Sequence, residues 1–226
     1  MRAVPPEAPR GAPTTRGTAL IPCPAVAKFL AAAQRRSVAP RTVLVARSTP
    51  PRLGYVVDGS LEVMLPSGDG RELVLALLGR GEFFGELALF DPDAPRAASV
   101  RARGRAEVAE MSYERFANLA AHDPTLNLAL ATQIAKRLSV ANQKMRSLAF
   151  VNVAGRIAQA LQGLCLRNEA MRHPQGVQLR VSRNDLARMA GCSREMAGRA
   201  VKDLEAAGLI RAHGMTLIVY DPARLG

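Results

Sequence analysis

The chain has 226 residues, of which 48% are apolar, so it can bury the core of one large domain or two small ones. Its net charge is +12, from 31 Lys and Arg against 19 Asp and Glu, and this balance favours a polyanionic partner such as nucleic acid. No apolar run reaches the roughly 18 residues of a membrane-spanning helix. The N-terminus also lacks a secretion signal, so we expect a cytoplasmic protein with no membrane partner.

Residues that could hold a metal or carry out catalysis are few and scattered. Cys23, Cys165 and Cys192 lie far apart without a CxxC pair, which predicts neither a disulfide framework nor a metal site. The three histidines occur in unrelated contexts, and no Ser/His/Asp order or P-loop is present. We therefore expect no metal and no enzyme activity, and we interpret the cysteines as neutral residues.

The first part of the chain changes character twice. Residues 1–24 are rich in Pro, Ala, Thr and Arg without periodicity, which predicts a disordered tail. Residues 25–37, AVAKFLAAAQRRS, predict a short helix. Residues 38–113 then alternate short apolar runs with Gly-rich turns, a pattern typical of an antiparallel barrel or jelly roll.

Two local patterns follow within and after this β-rich region. The runs LEVML and ELVLALL on either side of PSGDG predict a hairpin. Residues 114–122 predict a short helix. We take residues 25–124 as the first domain.

The longest periodic segment covers residues 125–151. Its apolar residues recur at spacings of 4, 4, 3, 4 and 3, and they are Leu130, Ile134, Leu138, Ala141, Met145 and Leu148. Such a seam is typical of a coiled coil, so we expect a dimerisation helix. The alternative is a helix that packs only on its own domain.

Residues 152–226 predict helices followed by a small hairpin, LIRAHGMTLIVY. Asn152 is a suitable N-cap for the first helix. Ser182 and Asp185 have the spacing of a capping box at the start of the next helix. The turn GCS then leads into another helix, and helix, glycine-containing turn and helix together indicate a helix-turn-helix.

The second helix of this motif is amphipathic. Ser193 is its expected N-cap and Gly208 its expected stop. At about 100° per residue, one face carries Ala197, Ala200, Val201 and Leu204. The opposite face carries Arg194, Glu195, Gly198, Arg199 and Lys202. That face suits a DNA major groove, since Arg matches guanine edges and Glu accepts from cytosine, although an ordinary solvated face is also possible.

Several stretches together resemble one known family. They are GELALF…PRAASVRA, EVAEMSYERF, LAFVNVAGRIAQAL, MRHPQG, GCSREMAGR and GLIRAHGMTLIVYD. Over about residues 25–221 the chain resembles the cyclic-AMP receptor branch of the CRP/FNR transcription regulators. The resemblance implies an α+β fold with three parts. These are an N-terminal double-stranded β-helix (jelly-roll) domain that binds cyclic nucleotide, a long dimerisation helix and a C-terminal winged helix-turn-helix.

The resemblance also implies a ligand site around GELALFDPDAPRAASV. Glu86 would accept from the ribose 2′-OH, Arg96 would pair with the cyclic phosphate, and Gly85 would let backbone approach the ligand. The implied ligand-binding residues are Gly85, Glu86, Leu87, Arg96, Ala97, Ala98, Ala141 and Asn142.

The base-reading positions depart from the cyclic-AMP receptor pattern. Ala76 and Ala97 stand where that receptor has serines, and Ala141 and Asn142 stand where it has Thr-Ser. The ribose-phosphate contacts are kept while the base contacts differ, so cyclic AMP is favoured without being the only purine allowed.

Cyclic di-GMP and ligand-independent regulation are the alternatives within the family. A second phosphate would need a second cation. Arg101, Arg103 and Arg105 alternate along a predicted strand, and we expect them on its solvent face.

For the C-terminal domain, the resemblance implies a palindromic DNA site with TGTGA-like half-sites. Arg194, Glu195 and Arg199 would read bases, while Arg183 and Lys202 would contact phosphates. The implied DNA-binding residues are Arg183, Ser193, Arg194, Glu195, Arg199, Lys202 and His213. The expected partners are double-stranded DNA, a second copy of the chain and RNA polymerase.

Two other classes fit the sequence less well. A cyclic-nucleotide module that regulates a protein partner would leave the helix-turn-helix unexplained, and no segment resembles an inhibitory substrate. An iron–sulfur sensor of a sister branch needs a group of N-terminal cysteines, and only Cys23 is present there.

Overall fold

The computed structural model describes residues 24–46, 49–91, 98–167 and 169–225. Its helices are α1 (Pro24–Ala32), α2 (Leu87–Phe90), α3 (Tyr113–His122), α4 (Thr125–Phe150), α5 (Val153–Cys165), α6 (Arg183–Ala190) and α7 (Arg194–Ala206), with a 3₁₀ helix at Pro222–Leu225. Its strands are β1 (Gln34–Val38), β2 (Val43–Val45), β3 (Arg52–Asp58), β4 (Leu61–Pro66), β5 (Glu72–Leu78), β6 (Phe83–Phe84), β7 (Ser99–Ala102), β8 (Ala106–Ser112), β9 (Met171–His173), β10 (Gly176–Arg180), β11 (Ile210–His213) and β12 (Thr216–Val219). None of the helices in these ranges combines the length and apolar character that crossing a lipid bilayer requires.

The first eight strands form two four-stranded antiparallel sheets. Their orders are β1-β8-β3-β6 and β2-β7-β4-β5. Both sheets contribute to one buried apolar cluster, which includes Val38, Leu44, Val56, Leu61, Leu78, Phe84, Val100 and Val108. The jelly-roll prediction is confirmed, and we call this unit the β-roll.

The hairpin predicted around PSGDG is present as β4 and β5. Leu61 pairs with Leu78 and Pro66 with Glu72, with one irregularity in register near Val63. In the turn, the side chain of Asp69 accepts hydrogen bonds from both the backbone and the guanidinium of Arg71. Local turn chemistry therefore closes this hairpin, as the sequence predicts.

The helix predicted over residues 25–37 is wrong in its second half. The helix ends at Ala32, and Gln34–Val38 forms β1, an edge strand that pairs with β8. Arg36 donates two hydrogen bonds to the buried Glu110 of β8, at 2.7 and 3.2 Å. Tertiary pairing has overridden the helical propensity of this stretch.

A second apolar cluster lies on the outer face of the first sheet, beneath α1, α3 and α4. Phe29 of α1 packs edge-on against Phe83 with ring centroids 5.2 Å apart. Leu126 and Leu130 of α4 are fully buried in the same cluster, and Ile134 packs against it. By contrast, Leu138 and Met145 are 61% and 62% exposed. The predicted seam is therefore divided, because its first half belongs to the core of its own domain.

The C-terminal unit packs α5, α6 and α7 against a four-stranded antiparallel sheet of order β11-β12-β10-β9. The predicted caps at Asn152, Ser182 and Ser193 are all present, and Ser182 with Asp185 forms a full capping box. The sequence prediction missed β9 and β10. Pro174 and Gln175 lie between them and Gly176 begins β10, and this Pro-Gln-Gly run is a turn signal that could have indicated the hairpin.

Candidate functional site

A cavity of about 630 Å³ opens inside the β-roll, between its two sheets and α4. Its walls are largely apolar, with Val63, Leu65 and Leu75 contributed by the hairpin of β4 and β5. Five charged residues contribute to the lining, namely Arg36, Arg52, Glu86, Glu110 and Arg137. Apolar walls with polar groups at defined places are the usual form of a small-molecule site.

Glu86 is the polar centre of this cavity. It is 6% exposed, and its Oε1 accepts a hydrogen bond from Arg137 Nη1 at 2.7 Å. Arg137 also donates from Nη2 to the backbone carbonyl of Phe83, while its buried Nε has no hydrogen-bond partner among the described residues. Arg137 therefore ties the carboxylate to α4. The sequence prediction missed this residue, since no local signal links it to a partner 51 positions away.

Gly85 has an internal reason to be glycine. Its φ is +79°, and a Cβ there would lie 2.5 Å from the carbonyl oxygen of Arg52. The carbonyl of Gly85 accepts a hydrogen bond from the Tyr113 hydroxyl. These contacts hold the start of the predicted ligand-binding segment against β3 and α3. The positive φ and the close approach to Arg52 require glycine here whether or not a ligand is bound.

The other predicted ligand-binding residues divide into three groups. Leu87 and Ala98 line the cavity together with Gly85 and Glu86. Ala141 and Asn142 lie exposed on α4 and do not line the cavity of this single chain. Arg96 and Ala97 lie outside the described residues, as do Cys23 and residues 1–23 of the tail predicted over residues 1–24. Pro24, the last residue of that predicted tail, begins α1.

The predicted DNA-reading face is exposed on α7. Arg194, Glu195, Arg199 and Lys202 are exposed on one side. On the other side Ala197, Ala200, Val201 and Leu204 are between 0% and 9% exposed. Hydrogen bonds to its own backbone amide and to Ser193 lower the pKa of Glu195, so this carboxylate is ionised at neutral pH.

The remaining predicted DNA contacts gather beside α7. Arg183, at the start of α6, donates to the carbonyl of Gly214 at 3.5 Å. Gly214 lies in the turn between β11 and β12, next to the exposed His213. Arg183 and His213 are thus brought together at the tip of this hairpin, on the unit that presents α7.

The C-terminus of α6 is held by cations from two other helices. Lys144 of α4 donates to the carbonyl of Met189, and Arg156 of α5 donates to the carbonyl of Ala190 at 2.7 Å. Burial, and to a smaller extent Arg156, lowers the pKa of Lys144. The turn after α6 also contacts α4, because a Cβ on Gly191 would lie 2.9 Å from Leu148. Through Arg137 and Lys144, α4 therefore contacts both the cavity and α6.

An ion-pair network joins the other side of α6 to the β-roll. Glu62 of β4 is 5% exposed and accepts from Arg101 at 2.7 Å and from Arg188 of α6 at 2.6 Å. Glu72 of β5 lies 3.1 Å from Arg101 and 3.4 Å from Arg188. A single carboxylate within the apolar run LEVML was the sequence signal for this contact.

The network corrects the expectation for Arg101 of β7 and for Arg103, which follows that strand, whereas Arg105 is exposed as expected. The side chains of Arg101 and Arg103 are only 20% and 16% exposed, so they do not lie on a solvent face. Arg103 pairs with Glu169 at 2.8 Å. Both arginines face the C-terminal unit and already have carboxylate partners.

We expect Arg188→Leu to destabilise the docked arrangement by about 3 kcal/mol, because it leaves a buried carboxylate with one cation fewer. This is the lower end of the range for breaking a buried pair, since Arg101 still contacts Glu62. Urea denaturation with hydrogen exchange at α6 would measure the effect. Arg183→Leu, on the same helix but with one long hydrogen bond, is the control. Equal stability of the two variants would contradict a structural role for the network.

The described cysteines fit the neutral interpretation. Burial raises the pKa of Cys165 to about 11, and burial also raises that of Cys192. Within the described ranges, no group of three or more His, Cys, Asp or Glu residues could hold a metal ion.

Comparison with known proteins gives two family matches. Residues 35–123 match the cyclic nucleotide-binding domain, and residues 155–226 match the Crp-like helix-turn-helix domain. The chain is 43% identical over 201 residues to the CRP-like protein Clp of Xanthomonas euvesicatoria, covering 86% of this chain and 87% of that one. It is 40% identical over 190 residues to the cAMP-activated global transcriptional regulator Vfr of Pseudomonas aeruginosa, covering 83% and 89%.

Solved structures agree with these relatives. The c-di-GMP responsive global regulator CLP of Xanthomonas campestris superposes with a TM-score of 0.81 at 43% identity, covering 88% of this chain and 99% of that one. A CRP/FNR regulator of Thermus thermophilus superposes with a TM-score of 0.75 at 25% identity, covering 85% and 96%. Both domains, in the same order and over nearly the full described length, are therefore shared, and the chain belongs to the CRP/FNR family of transcription regulators.

Proposed function

We propose that this chain is a homodimeric, sequence-specific transcription regulator whose DNA binding is controlled by a cyclic nucleotide, with cyclic AMP favoured. The observation that carries the proposal is the hydrogen bond from Arg137 to Glu86 at the cavity. It links the ligand cavity to the helix that also contacts the helix-turn-helix through Lys144. A ligand that binds Glu86 can therefore bias the position of α6 and α7.

The mechanism we propose is a shift between two populations of hinge geometry near the junction of α4 and α5. Ligand binding would favour the geometry that sets the two α7 helices of a dimer about 34 Å apart, which is one turn of DNA. Such a protein regulates transcription without catalysing a reaction. RNA polymerase would be its partner on DNA, and it would act in the cytoplasm.

The effector is tested by titrating purified protein with cyclic AMP, cyclic GMP and cyclic di-GMP in a calorimeter. The same three ligands should then be added to a binding assay on a palindrome with TGTGA-like half-sites. Cyclic AMP should bind tightest and increase affinity for the specific DNA. Binding of all three without any change in DNA affinity would contradict ligand control.

Cyclic di-GMP is the second candidate, because the similar regulator from Xanthomonas campestris responds to it. Its second phosphate would need a free cation beside the cavity. Arg101 and Arg103 are paired with carboxylates and lie outside the cavity, so they do not supply it. Arg52 lines the cavity and is the cation that a second phosphate would use, so the calorimetric titration decides between the two ligands.

Base reading by α7 gives a direct prediction. Arg199→Ala should cost about 1–3 kcal/mol on the specific site and little on random DNA, because a guanine contact is lost. Lys202 lies about one helical turn from Arg199. Lys202→Ala should weaken binding to the specific and the random duplex by a similar small factor, because phosphate contacts carry no sequence information. Fluorescence anisotropy on matched specific and random duplexes would measure both. Equal losses on the two duplexes for Arg199→Ala would contradict its base-reading role.

A further inference from the structure

A second cavity, of about 590 Å³, lies where β5, α4 and α5 meet. Leu75 of β5 lines both this cavity and the one that contains Glu86, so the two are neighbours. The volume of the second cavity lies within the range of small-molecule sites. The proposed function uses only the cavity with Glu86 and gives the second one no role. The charge and shape of its lining indicate what it can bind.

The lining of this second cavity is strongly cationic. It contains Lys144 and Arg146 of α4, Arg156 of α5, and Arg167, which follows α5. Among the described residues that line the cavity, none is Asp or Glu. Four positive charges therefore surround a space to which the lining brings no carboxylate.

Helix ends and one nearby carboxylate compensate only part of this charge. Lys144 and Arg156 donate hydrogen bonds to carbonyls at the end of α6, and Arg156 also donates to the carbonyl of Val151 at the end of α4. The C-terminus of a helix carries about half a negative charge, so the two ends offset about one positive charge. Glu82 lies 3.9 Å from Arg167 and offsets one more. About two of the four positive charges remain uncompensated.

Two of these cations show the excess directly. Burial, and to a smaller extent Arg156, lowers the pKa of Lys144, because nearby cations repel one another and burial removes the water that would screen them. Arg146 is exposed, and it has no hydrogen bond or ion pair with any other described residue. An anion in the cavity would relieve the repulsion and give Arg146 a partner.

The shape of the cavity depends on a glycine in α5. Gly163 lies between Arg156 and Arg167 on one face, seven residues after the first and four before the second. Its φ is not in the left-handed region, and a Cβ there would have no heavy atom within 4 Å. The bare backbone therefore leaves room for a ligand between the two guanidinium groups. Leu75 and Leu77 of β5 provide an apolar wall for the rest of such a ligand.

We propose that this cavity is a second ligand site, which binds a small organic phosphate with at least two negative charges. A ligand there would contact β5, α4 and α5 together, at the junction of α4 and α5. On α4, the face that lines the cavity is centred about 130° from the predicted seam, so a second copy at the seam leaves the cavity open. Binding at this site does not depend on the proposed function.

The test is calorimetric titration of the full chain with inorganic pyrophosphate, which should bind as one molecule per chain. Arg146→Gln should raise the dissociation constant about fivefold, the effect of losing one exposed charge contact. Gly163→Leu keeps all four cations but fills the space between Arg156 and Arg167, so it should weaken binding at least tenfold. Without ligand, its melting temperature should not fall, because leucine favours a helix and its Cβ meets no clash.

Three control variants separate this site from other cationic parts of the chain. Arg115→Gln removes one charge from α3, and Arg199→Ala removes one from α7. Arg96→Leu removes the cation expected in the cavity with Glu86. All three should bind pyrophosphate like the wild type. In Arg96→Leu, ADP should bind more tightly than pyrophosphate, because its adenosine part can contact the apolar wall.

Several results would overturn the proposal. They are the absence of pyrophosphate binding to the wild type, unchanged binding in Gly163→Leu, and equal weakening by Arg115→Gln and Arg146→Gln. Loss of pyrophosphate binding in Arg96→Leu, or ADP binding no tighter than pyrophosphate in that variant, would also contradict it. If the wild type binds pyrophosphate as expected but does not prefer specific DNA over random DNA, the proposed function fails and this site stands.

Discussion

Replacing Leu138 by glutamate should convert the proposed dimer to monomers. Leu138 is 61% exposed on the half of α4 that does not pack against its own domain, and it shares a stripe with Ala141 and Met145. In a two-fold interface each copy would bury this leucine, and each buried side chain would stabilise the dimer by about 1.5–3 kcal/mol. The variant loses this burial in both copies and also brings two carboxylates together without partners. The dissociation constant of the dimer should therefore rise at least 100-fold.

Leu128 is a matched control for this prediction. It lies on the same helix and is 68% exposed, but its direction is far from that of the stripe. Sedimentation equilibrium should find Leu138→Glu as monomers at concentrations where Leu128→Glu and the wild type remain dimers. Ile134, which also belongs to the predicted seam, is a poorer choice because it packs partly on its own domain. If Leu138→Glu is still a dimer at low concentration, the interface lies elsewhere on the chain.

Replacing Arg96 by leucine should abolish cyclic-nucleotide binding. The family resemblance implies that this guanidinium pairs with the cyclic phosphate, which is a charge-assisted contact. Removing one partner of a buried charge pair costs about 2–5 kcal/mol, and therefore roughly 30-fold to several thousand-fold in affinity. Calorimetry should show no heat of binding at ligand concentrations that saturate the wild type, and the ligand should no longer increase DNA affinity.

Glu86→Ala should weaken both ligand binding and ligand-dependent DNA affinity. The change removes the acceptor predicted for the ribose hydroxyl, and it also leaves Arg137 without its carboxylate partner. Arg115→Leu, an exposed arginine on α3, is the control and should behave as the wild type. If full specific DNA binding without ligand survives in both Arg96→Leu and Glu86→Ala, the chain is a constitutive regulator.

The parts of the fold that depend on local chemistry were predictable from the sequence. Asn152, Ser182 and Ser193 cap helices where the sequence predicts them, since a cap joins a side chain to backbone two or three residues away. The turn at Asp69 closes its hairpin for the same reason. The two faces of α7 follow from helical period alone, and Leu204 is buried as predicted.

Contacts between distant residues depended on the tertiary structure. Gln34–Val38 has helical propensity but forms a strand, because β8 offers it backbone partners and Glu110 needs Arg36. Arg137 finds Glu86 across 51 positions, and Arg188 finds Glu62 across 126. A buried carboxylate requires a cation, but which cation reaches it is decided by how the sheets and helices pack. Apart from β1, β9 and β10, the sequence by itself therefore determined the main elements, their order and the family. The tertiary structure decided which charges couple the ligand cavity to the DNA-reading helices.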